Sequence, residues 1–393
     1  MVTTDNMLQA YYDCRKRKRR TASAVVFEMD YEARLVALRD RINARAYVPG
    51  KSICFVVTRP RYREVFAASF EDRIVHHYIG LRLEPLFEKV FSPRTFNCRK
   101  GKGQLYGIET LKRDMWEESA GYTTDCWVMK LDLKGFFMSI DKALLAEKID
   151  RFILDYYDGE DIEDLRYVCQ VVVLHCPEKN CERHSPAAMW EHLPANKSLF
   201  TNGEGKGVAI GNLFAQLFAN FLLNGLDWYL EEIGIARHGR YVDDFYSIHR
   251  DKAILLAAVP KIREYLKGYG LQLNERKFYL QHYSKGVEFT GMVVKPGRVY
   301  ICNRVLTNFI AAVRRLNAAA NMRQIAHAVD SINSYLGLLR HSNEYGKRVA
   351  ILQTISPAAW QYLYIKGRYE VVKVRKKYQH RTQLLQRIRD GDY

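Results

Sequence analysis

Apolar positions along the chain switch between the 3.6-residue period of a helix and the two-residue period of a strand. The N-terminal ~45 residues read as helical, ending in the amphipathic segment "YEARLVALRDRINARAY". "SICFVVTRPRYREVFAAS" then reads as two strands broken at Thr58-Arg59-Pro60. In "FEDRIVHHYIGLRLEPLFEKVF", Ile74, His77, Tyr78, Leu81 and Leu86 recur at near-helical spacing. A Gly- and Lys-rich loop, "NCRKGKGQLYG", leads into another helix from Ile108. The centre alternates in type. "DCWVMKLDLKGFF" is a strand running into a turn, "DKALLAEKIDRFILDYY" a helix, and "KGVAIGNLFAQLFANFLLNGLDWYLEEIG" a long helix with a Gly-rich start. Next come a hairpin around "GRYVDDFYSIHR", the helix "DKAILLAAVPKIREYLKGYG" containing Pro260, and strands in "LQLNERKFYLQ" and "VEFTGMVVKPGRVYI". From about Asn303 the composition turns Ala-rich, and 303–341 reads as strand-free helix, which sets a boundary near 302.

The 393 residues suffice for two or three packed units, and 48% hydrophobic with 12% aromatic content predicts a folded chain. Lys and Arg number 61 against 44 Asp and Glu, a formal charge of +17. Such an excess favours polyanionic partners, nucleic acid before anionic membrane. A basic run at 15–20 and the tail from Arg368 carry part of it, either as solvated faces or as grips on phosphate or a protein partner. No window approaches the ~18 uninterrupted apolar residues of a membrane span, and the N-terminus lacks a secretory apolar core. A cytoplasmic protein with reduced, mostly structural cysteines is expected. In "HCPEKNCERH", His175, Cys176, Cys181 and His184 lie close in sequence, but their spacing is not that of a tetrahedral zinc site. A polar surface insertion is the expectation there. His76 and His77 read as a structural pair on a helix face.

Asp243 and Asp244 form the least comfortable feature. A two-residue hairpin turn favours Asn-Gly or Asp-Gly, and adjacent carboxylates repel. A further carboxylate, Asp132, ends the strand in "VMKLDLKGFF", sharing a face with Val128 and Lys130. If that strand pairs beside the hairpin, three carboxylates meet at one sheet edge. Hard divalent cations relieve such crowding, and two Mg²⁺ ions held this way serve in-line phosphoryl transfer.

These segments resemble a known family. "YVDD" between apolar strands is similar to the catalytic box of reverse transcriptases, and "LDLKGFFMSID" to their first aspartate motif. "GVAIGNLFAQLFANFLLNGLD" resembles their nucleotide-binding helix, and "LQLNERKFYL" and "EFTGMVV" their later palm motifs. "FEDRIVHHYIGLRLEPLFEKVF" with "FNCRKGKG" resembles the fingers of bacterial, group II intron-like enzymes. The resemblance runs in order over about 52–294. It implies an α+β right-hand polymerase fold: an N-terminal extension and fingers over 1–120, a palm with an antiparallel sheet over 121–302, and an α-helical thumb with a basic tail over 303–393. No ribonuclease H, maturase or endonuclease domain is expected after the thumb.

The same resemblance assigns roles. Asp132, Asp243, Asp244 and the main-chain carbonyl of Leu133 would hold two Mg²⁺ ions, with Mn²⁺ as a substitute. Asp132 and Asp243 would be the direct ligands and Asp244 a weaker contributor. Lys277 would protonate the leaving pyrophosphate; the alternative is a strand lysine reaching solvent. Phe137 would exclude a ribose 2′-OH, with Phe136 as the core ring. Ile210, Gly211 and Gln216 would line the dNTP pocket, Gly211 by admitting close backbone approach, although Ile210 also suits helix packing. Arg63, Arg99 and Lys102 would meet the triphosphate. Phe289, Thr290 and Gly291 would grip the primer, or simply pack as β-structure.

The implied activity is RNA-directed DNA synthesis from a 3′-OH primer, with template RNA, RNA/cDNA hybrid and dNTPs as partners. Ile210-Gly211, where related enzymes carry Gln-Gly, resembles the error-prone enzymes of diversity-generating retroelements, which points to a small basic accessory protein. Ala215 departs from that pattern, where a Ser is usual. The alternatives are an antiphage defence enzyme using a dedicated noncoding RNA or no external template, and a catalytically silent RNA-binding module.

Overall fold

The computed structural model describes residues 1–16, 21–58 and 61–378. Four residues of the 15–20 basic run, the Arg59-Pro60 break and the tail from 379 lie outside the described residues. Twelve strands are present among them: β1 (Ser52–Val57), β2 (Arg63–Ala67), β3 (Trp127–Asp132), β4 (Cys181–Arg183), β5 (Arg237–Tyr241), β6 (Asp244–His249), β7 (Tyr279–His282), β8 (Val287–Phe289), β9 (Met292–Lys295), β10 (Arg298–Ile301), β11 (Leu363–Lys366) and β12 (Val371–Val374). With the helices, they give the mixed α+β content expected.

The chain divides into two compact units, the first formed by residues 1–103 and 129–280 and the second by 104–128 and 281–393. In the first, the helix Phe70–Val90 starts at Ser69, whose hydroxyl accepts from the Asp72 N–H and so satisfies an orphan donor. It buries Ile74 and Tyr78 as expected, together with Val75, Ile79, Leu83 and Phe87, whereas His77, Leu81 and Leu86 stay half-buried. Phe87 stacks with Phe91 and Phe221, and Phe152 joins them, forming an aromatic core. The helix Leu213–Glu232 packs beside it. The helix Lys252–Lys267 tolerates Pro260 and is capped by Asp251.

Two sheets belong to this part of the chain. One has the order β2-β1-β4, with β1 and β2 antiparallel and β4 parallel to β1. The segment expected as a polar surface insertion therefore contributes a strand: Cys181 lies opposite Ser52 and Arg183 opposite Cys54. The other has the order β5-β6-β3-β7, which sets the Asp132 strand directly beside the hairpin, as the three-carboxylate argument requires. The expected strand through "NERKF" is instead a 3₁₀ turn over Glu275–Lys277, with β7 beginning after it.

In the second unit, the helices Asn303–Asn317, Met322–Leu339 and Tyr345–Gln353 and the sheet β10-β9-β8 accompany the helix Gln104–Glu118. Residues 303–341 are strand-free as expected, but a β11–β12 hairpin follows, its second strand inside the basic tail that begins at Arg368. Asn333 holds it: its Oδ1 accepts from the Val372 N–H and its Nδ2 donates to the Val372 carbonyl, both at 2.8 Å.

Gly211 marks where two segments of the first unit press together. Its φ is +118°, and a Cβ there would lie 2.5 Å from the Phe66 carbonyl oxygen. Gly211→Ala is expected to destabilise the fold by about 3 kcal/mol, combining backbone strain with a clash against backbone. Urea unfolding of purified protein checks this; an unchanged midpoint would show that the approach is not needed.

Candidate active site

The β5–β6 hairpin is built differently from the expected Asp-Asp turn. Tyr241 pairs with Asp244, so the two turn residues are Val242 and Asp243, and Asp244 already belongs to β6. Val242 has φ 62°, whereas Asp243 is not among the positive-φ residues. A turn with positive φ only at its first central residue calls for glycine there. A β-branched residue in that position is strained. The strain at this hairpin therefore sits on Val242, and the carboxylates flank it.

Around that turn the charges converge. Burial, then the charge of Asp132, and less strongly that of Asp244, raise Asp243 from 3.8 to about 6. Asp244 is also raised, first by burial and against the pull of Lys130, whose Nζ is 3.5 Å from its Oδ1. Asp132 Oδ2 accepts from Lys277 Nζ at 2.6 Å and from Asn274 Nδ2 at 3.1 Å. The ammoniums of Lys130 and Lys277 thus stand where the negative charge calls for cations. Lys134 donates its N–H to the Gln272 carbonyl and Asn274 donates to the Asp132 carbonyl. That pattern makes Leu133 the non-hydrogen-bonded partner of Leu273, so its own carbonyl faces away from Leu273.

Among the described residues, no three His, Cys, Asp or Glu side chains stand close enough to form a ligand group. The donor chemistry nonetheless fits a hard divalent cation: the oxygens of carboxylates, two of them raised in pKa by burial and then by neighbouring charge, with a main-chain carbonyl nearby. His175, Cys176, Cys181 and His184 make separate contacts. The Lys142 ammonium donates to the His175 carbonyl and lies 3.4 Å from Cys176 Sγ, whereas His184 meets Glu182. All eight cysteines are free; Cys98 is exposed, and Cys176 and Cys181 are partly so.

The expected nucleotide residues divide into groups. Phe137 is half-exposed and Phe136 buried, in the arrangement foreseen. Arg63 is exposed. Arg99, by contrast, is spent inside the protein: its guanidinium pairs with Glu88 at 2.8 Å and donates to the Ser92 and Thr95 carbonyls, leaving the side chain 5% exposed. Lys102 donates to the Pro93 carbonyl, and burial together with Arg99 lowers it to about 8. These two cations are engaged by protein, which corrects the expectation that they face a triphosphate. Ile210 packs on the cluster of Cys54, Phe66, Met138, Leu199 and Ala209, and the close approach at Gly211 is made by Phe66. Gln216 is exposed and touches Cys98.

Sequence reasoning missed Lys197. Burial and the neighbouring charges of Arg61, Lys277 and Arg63 lower its pKa, and Asp132 counteracts them. A basic group of Arg61, Arg63, Lys197 and Lys277 therefore gathers on the Asp132 side. Lys197 ends the 3₁₀ turn Ala195–Lys197 and carried no motif signal. In the second unit, Phe289 is fully buried and pairs with Met292 across the two-residue turn Thr290-Gly291, whose φ values are 47° and 90°. Two positive φ values are what a tight hairpin favours.

Residues 58–294 match the family described as "Reverse transcriptase (RNA-dependent DNA polymerase)". The chain is similar to "Protein YkfC" of Escherichia coli (strain K12), 23% identical over 299 residues that cover 65% of this chain and 70% of that protein. Among solved structures, apo telomerase from Candida tropicalis aligns with a TM-score of 0.48 at 14% identity, covering 80% of this chain and 57% of that one. Telomerase from Candida albicans, in complex with a fragment of telomeric RNA, aligns with a TM-score of 0.46 at 11% identity, covering 79% and 58%. The chain thus spans less than two thirds of those telomerase chains.

The raised pKa of Asp243 has a stability consequence. Between 3.8 and about 6 the folded chain keeps a proton that the unfolded chain has lost, so this group costs stability as pH rises through that window. Asp243→Asn is expected to stabilise the fold above pH 6 by of order 1 kcal/mol, after discounting for solvent screening at a partly exposed site. The advantage should shrink as pH falls through 6 toward 4. Thermal melts of both proteins across that range check this, and a pH-independent difference would refute it.

Proposed function

The chain belongs to the reverse transcriptase (RNA-dependent DNA polymerase) family, and from that premise we propose that it extends a 3′-OH primer with dNTPs along an RNA template. The observation that carries this reading is geometric: β3, ending in Asp132, lies directly beside the β5–β6 hairpin that carries Asp243 and Asp244 at a strained turn. Such crowding is unfavourable for folding and is explained by a task.

The family, with its α+β right-hand polymerase fold, generally uses divalent metal ions. Asp132 and Asp243, with the Leu133 carbonyl and Asp244 in support, are the residues that would hold Mg²⁺, or Mn²⁺ in its place. The bound cations would supply activation of the primer hydroxyl and neutralisation of the departing pyrophosphate. Lys277, resting on Asp132 Oδ2, is positioned to deliver a proton to that leaving group. Arg63, Arg61 and Lys197 supply exposed or near-site positive charge for the triphosphate. Phe137 presents its ring as the sugar gate, Gln216 reaches the pocket from the start of its helix, and Ile210 and Gly211 form the pocket's frame. Phe289, Thr290 and Gly291 serve as the primer grip. In this reading 1–120 forms the N-terminal extension and fingers, 121–302 the palm, and 303–393 the thumb and basic tail.

The biological setting proposed is error-prone cDNA synthesis in a diversity-generating retroelement, with a small basic accessory protein. The apolar Ile210, in place of an amide, supports it. Ala215 departs from that pattern, and the alternative is an antiphage defence enzyme using a dedicated noncoding RNA or no external template. Retention of all three carboxylates argues against a silent RNA-binding module.

Primer extension by the purified chain on a primed RNA, with dNTPs and Mg²⁺, tests the chemistry. Replacing Asp243 and Asp244 together by alanine is expected to lower extension by roughly 10³-fold or more. Undiminished extension would overturn the assignment. Sequencing the cDNA tests the setting: errors concentrated at template adenines are expected, and an even error spectrum would overturn it.

A further inference from the structure

Behind the strained turn lies a polar network that the proposed chemistry does not use. Thr95, Asn97, Asn220, Asp227 and Arg240 are all essentially inaccessible to solvent. The Arg240 guanidinium donates to both Asp227 oxygens, at 2.9 and 2.7 Å, and to Thr95 Oγ1 at 3.0 Å. The Thr95 hydroxyl closes the ring by donating to Asp227 Oδ2 at 2.6 Å. From this ring a remaining Arg240 nitrogen, Nη1, donates to the Val242 carbonyl at 3.0 Å. On the other side of the same residue, the Val242 N–H donates to Asn97 Oδ1 at 2.8 Å.

Both main-chain polar groups of Val242 are therefore held by side chains from outside the hairpin loop itself. Asn97 is in turn fixed by its own carbonyl, which accepts from Asn220 Nδ2 at 2.9 Å. Its segment is tied to β5 because Phe96 donates its N–H to the Arg240 carbonyl and Arg240 donates its own to Arg94, each at 2.9 Å. The Asn97 side chain also meets the neighbouring Cys98 thiol, and its amide oxygen is the atom that takes the Val242 N–H.

We propose that Asn97, backed by the buried Arg240–Asp227 pair, is a positioning residue that clamps Val242 in its left-handed conformation and so aims Asp243 and Asp244. The catalytic consequence rests on the polymerase reading; the clamp itself does not. A β-branched residue left alone would relax from φ near 60°, carrying the adjacent carboxylates with it. Glycine would hold that conformation unaided.

Asn97→Ala, Val242→Gly and the double variant of the full chain test this. Amide hydrogen exchange over 240–246 reads the clamp without reference to catalysis. Asn97→Ala is expected to speed exchange there about 10- to 100-fold, with the helix Leu213–Glu232 unaffected. If the alanine variant loosens that helix too, Asn97→Asp, which keeps an acceptor oxygen, becomes the comparison and should keep the turn protected. Primer extension reads the consequence. Asn97→Ala should lower kcat about tenfold with KM for dNTP nearly unchanged, and Val242→Gly should recover much of the loss. Unaltered exchange in Asn97→Ala, or an unprotected turn in Asn97→Asp, overturns the clamp. Faster exchange with unchanged kcat, or an equal kcat loss in the Val242→Gly background, overturns the positioning role. A wild-type chain that extends no primer refutes the polymerase reading instead, and exchange still decides whether Asn97 holds the turn.

Discussion

The ion pair between Arg240 and Asp227, with side chains 1% and 0% exposed, fixes where three segments meet. Asp227 belongs to the long helix Leu213–Glu232, Arg240 to β5, and Thr95 to the loop after the first long helix. A buried pair of this kind contributes little net stability over apolar residues of the same volume, yet removing one partner costs about 3–5 kcal/mol. Its effect is geometric. Every donor of the guanidinium has an acceptor set at a defined distance, so β5 cannot shift along the helix without leaving a charge unmet. The turn at the end of β5 inherits that precision.

The carboxylates show the complementary half of the design. Asp243 and Asp244 are raised by burial and by neighbouring negative charge, which is a cost that folding alone would avoid. Lys130 and Lys277 offset part of it by direct contact with Asp244 and Asp132. An ammonium is a mobile point charge on a flexible stem, so it can yield its place to another cation more readily than a bidentate guanidinium. Rigid charges thus lie behind the turn and movable ones in front of it.

Much of this was legible in the sequence, and the misses have physical causes. Most of the long helices and the meeting of Asp132 with the hairpin follow from periodicity and motif order, whereas the helices Ile162–Leu174 and Tyr345–Gln353 lie outside that reading. The turn register did not follow, because "YVDD" reads equally well with either pair at the tip, and only the Tyr241–Asp244 pairing decides it. Strands β4, β11 and β12 are only three or four residues long and exist through tertiary partners: β4 through β1, and β11 and β12 through each other and the Asn333 bonds to Val372. Arg99 resembled a phosphate ligand by type and place, but a nearby carboxylate and two carbonyls compete for its fork, and a sequence does not reveal such competition. Lys197 had no motif to mark it and is brought near Asp132 only by the tertiary fold.

The proposed nucleotide pocket is best understood as a frame of backbone bonds. Phe66 of β2 donates its N–H to the Ile210 carbonyl at 2.8 Å, and its own carbonyl presses on Gly211. Two residues earlier, Val208 donates to the Phe137 carbonyl and Gly207 to that of Ile140, each at 2.8 Å. The loop before the long helix therefore joins β2, which carries Arg63, to the short segment that carries Phe137. The residues proposed to meet the triphosphate and the sugar share this loop as a common support. Ile210 lies within it with its side chain against Cys54, Phe66 and Met138. An alkyl group suits that apolar surface, whereas an amide there would need partners the cluster does not offer. Any influence of this position on copying accuracy would act by setting the frame's tightness around the nucleotide, as well as by what the side chain touches.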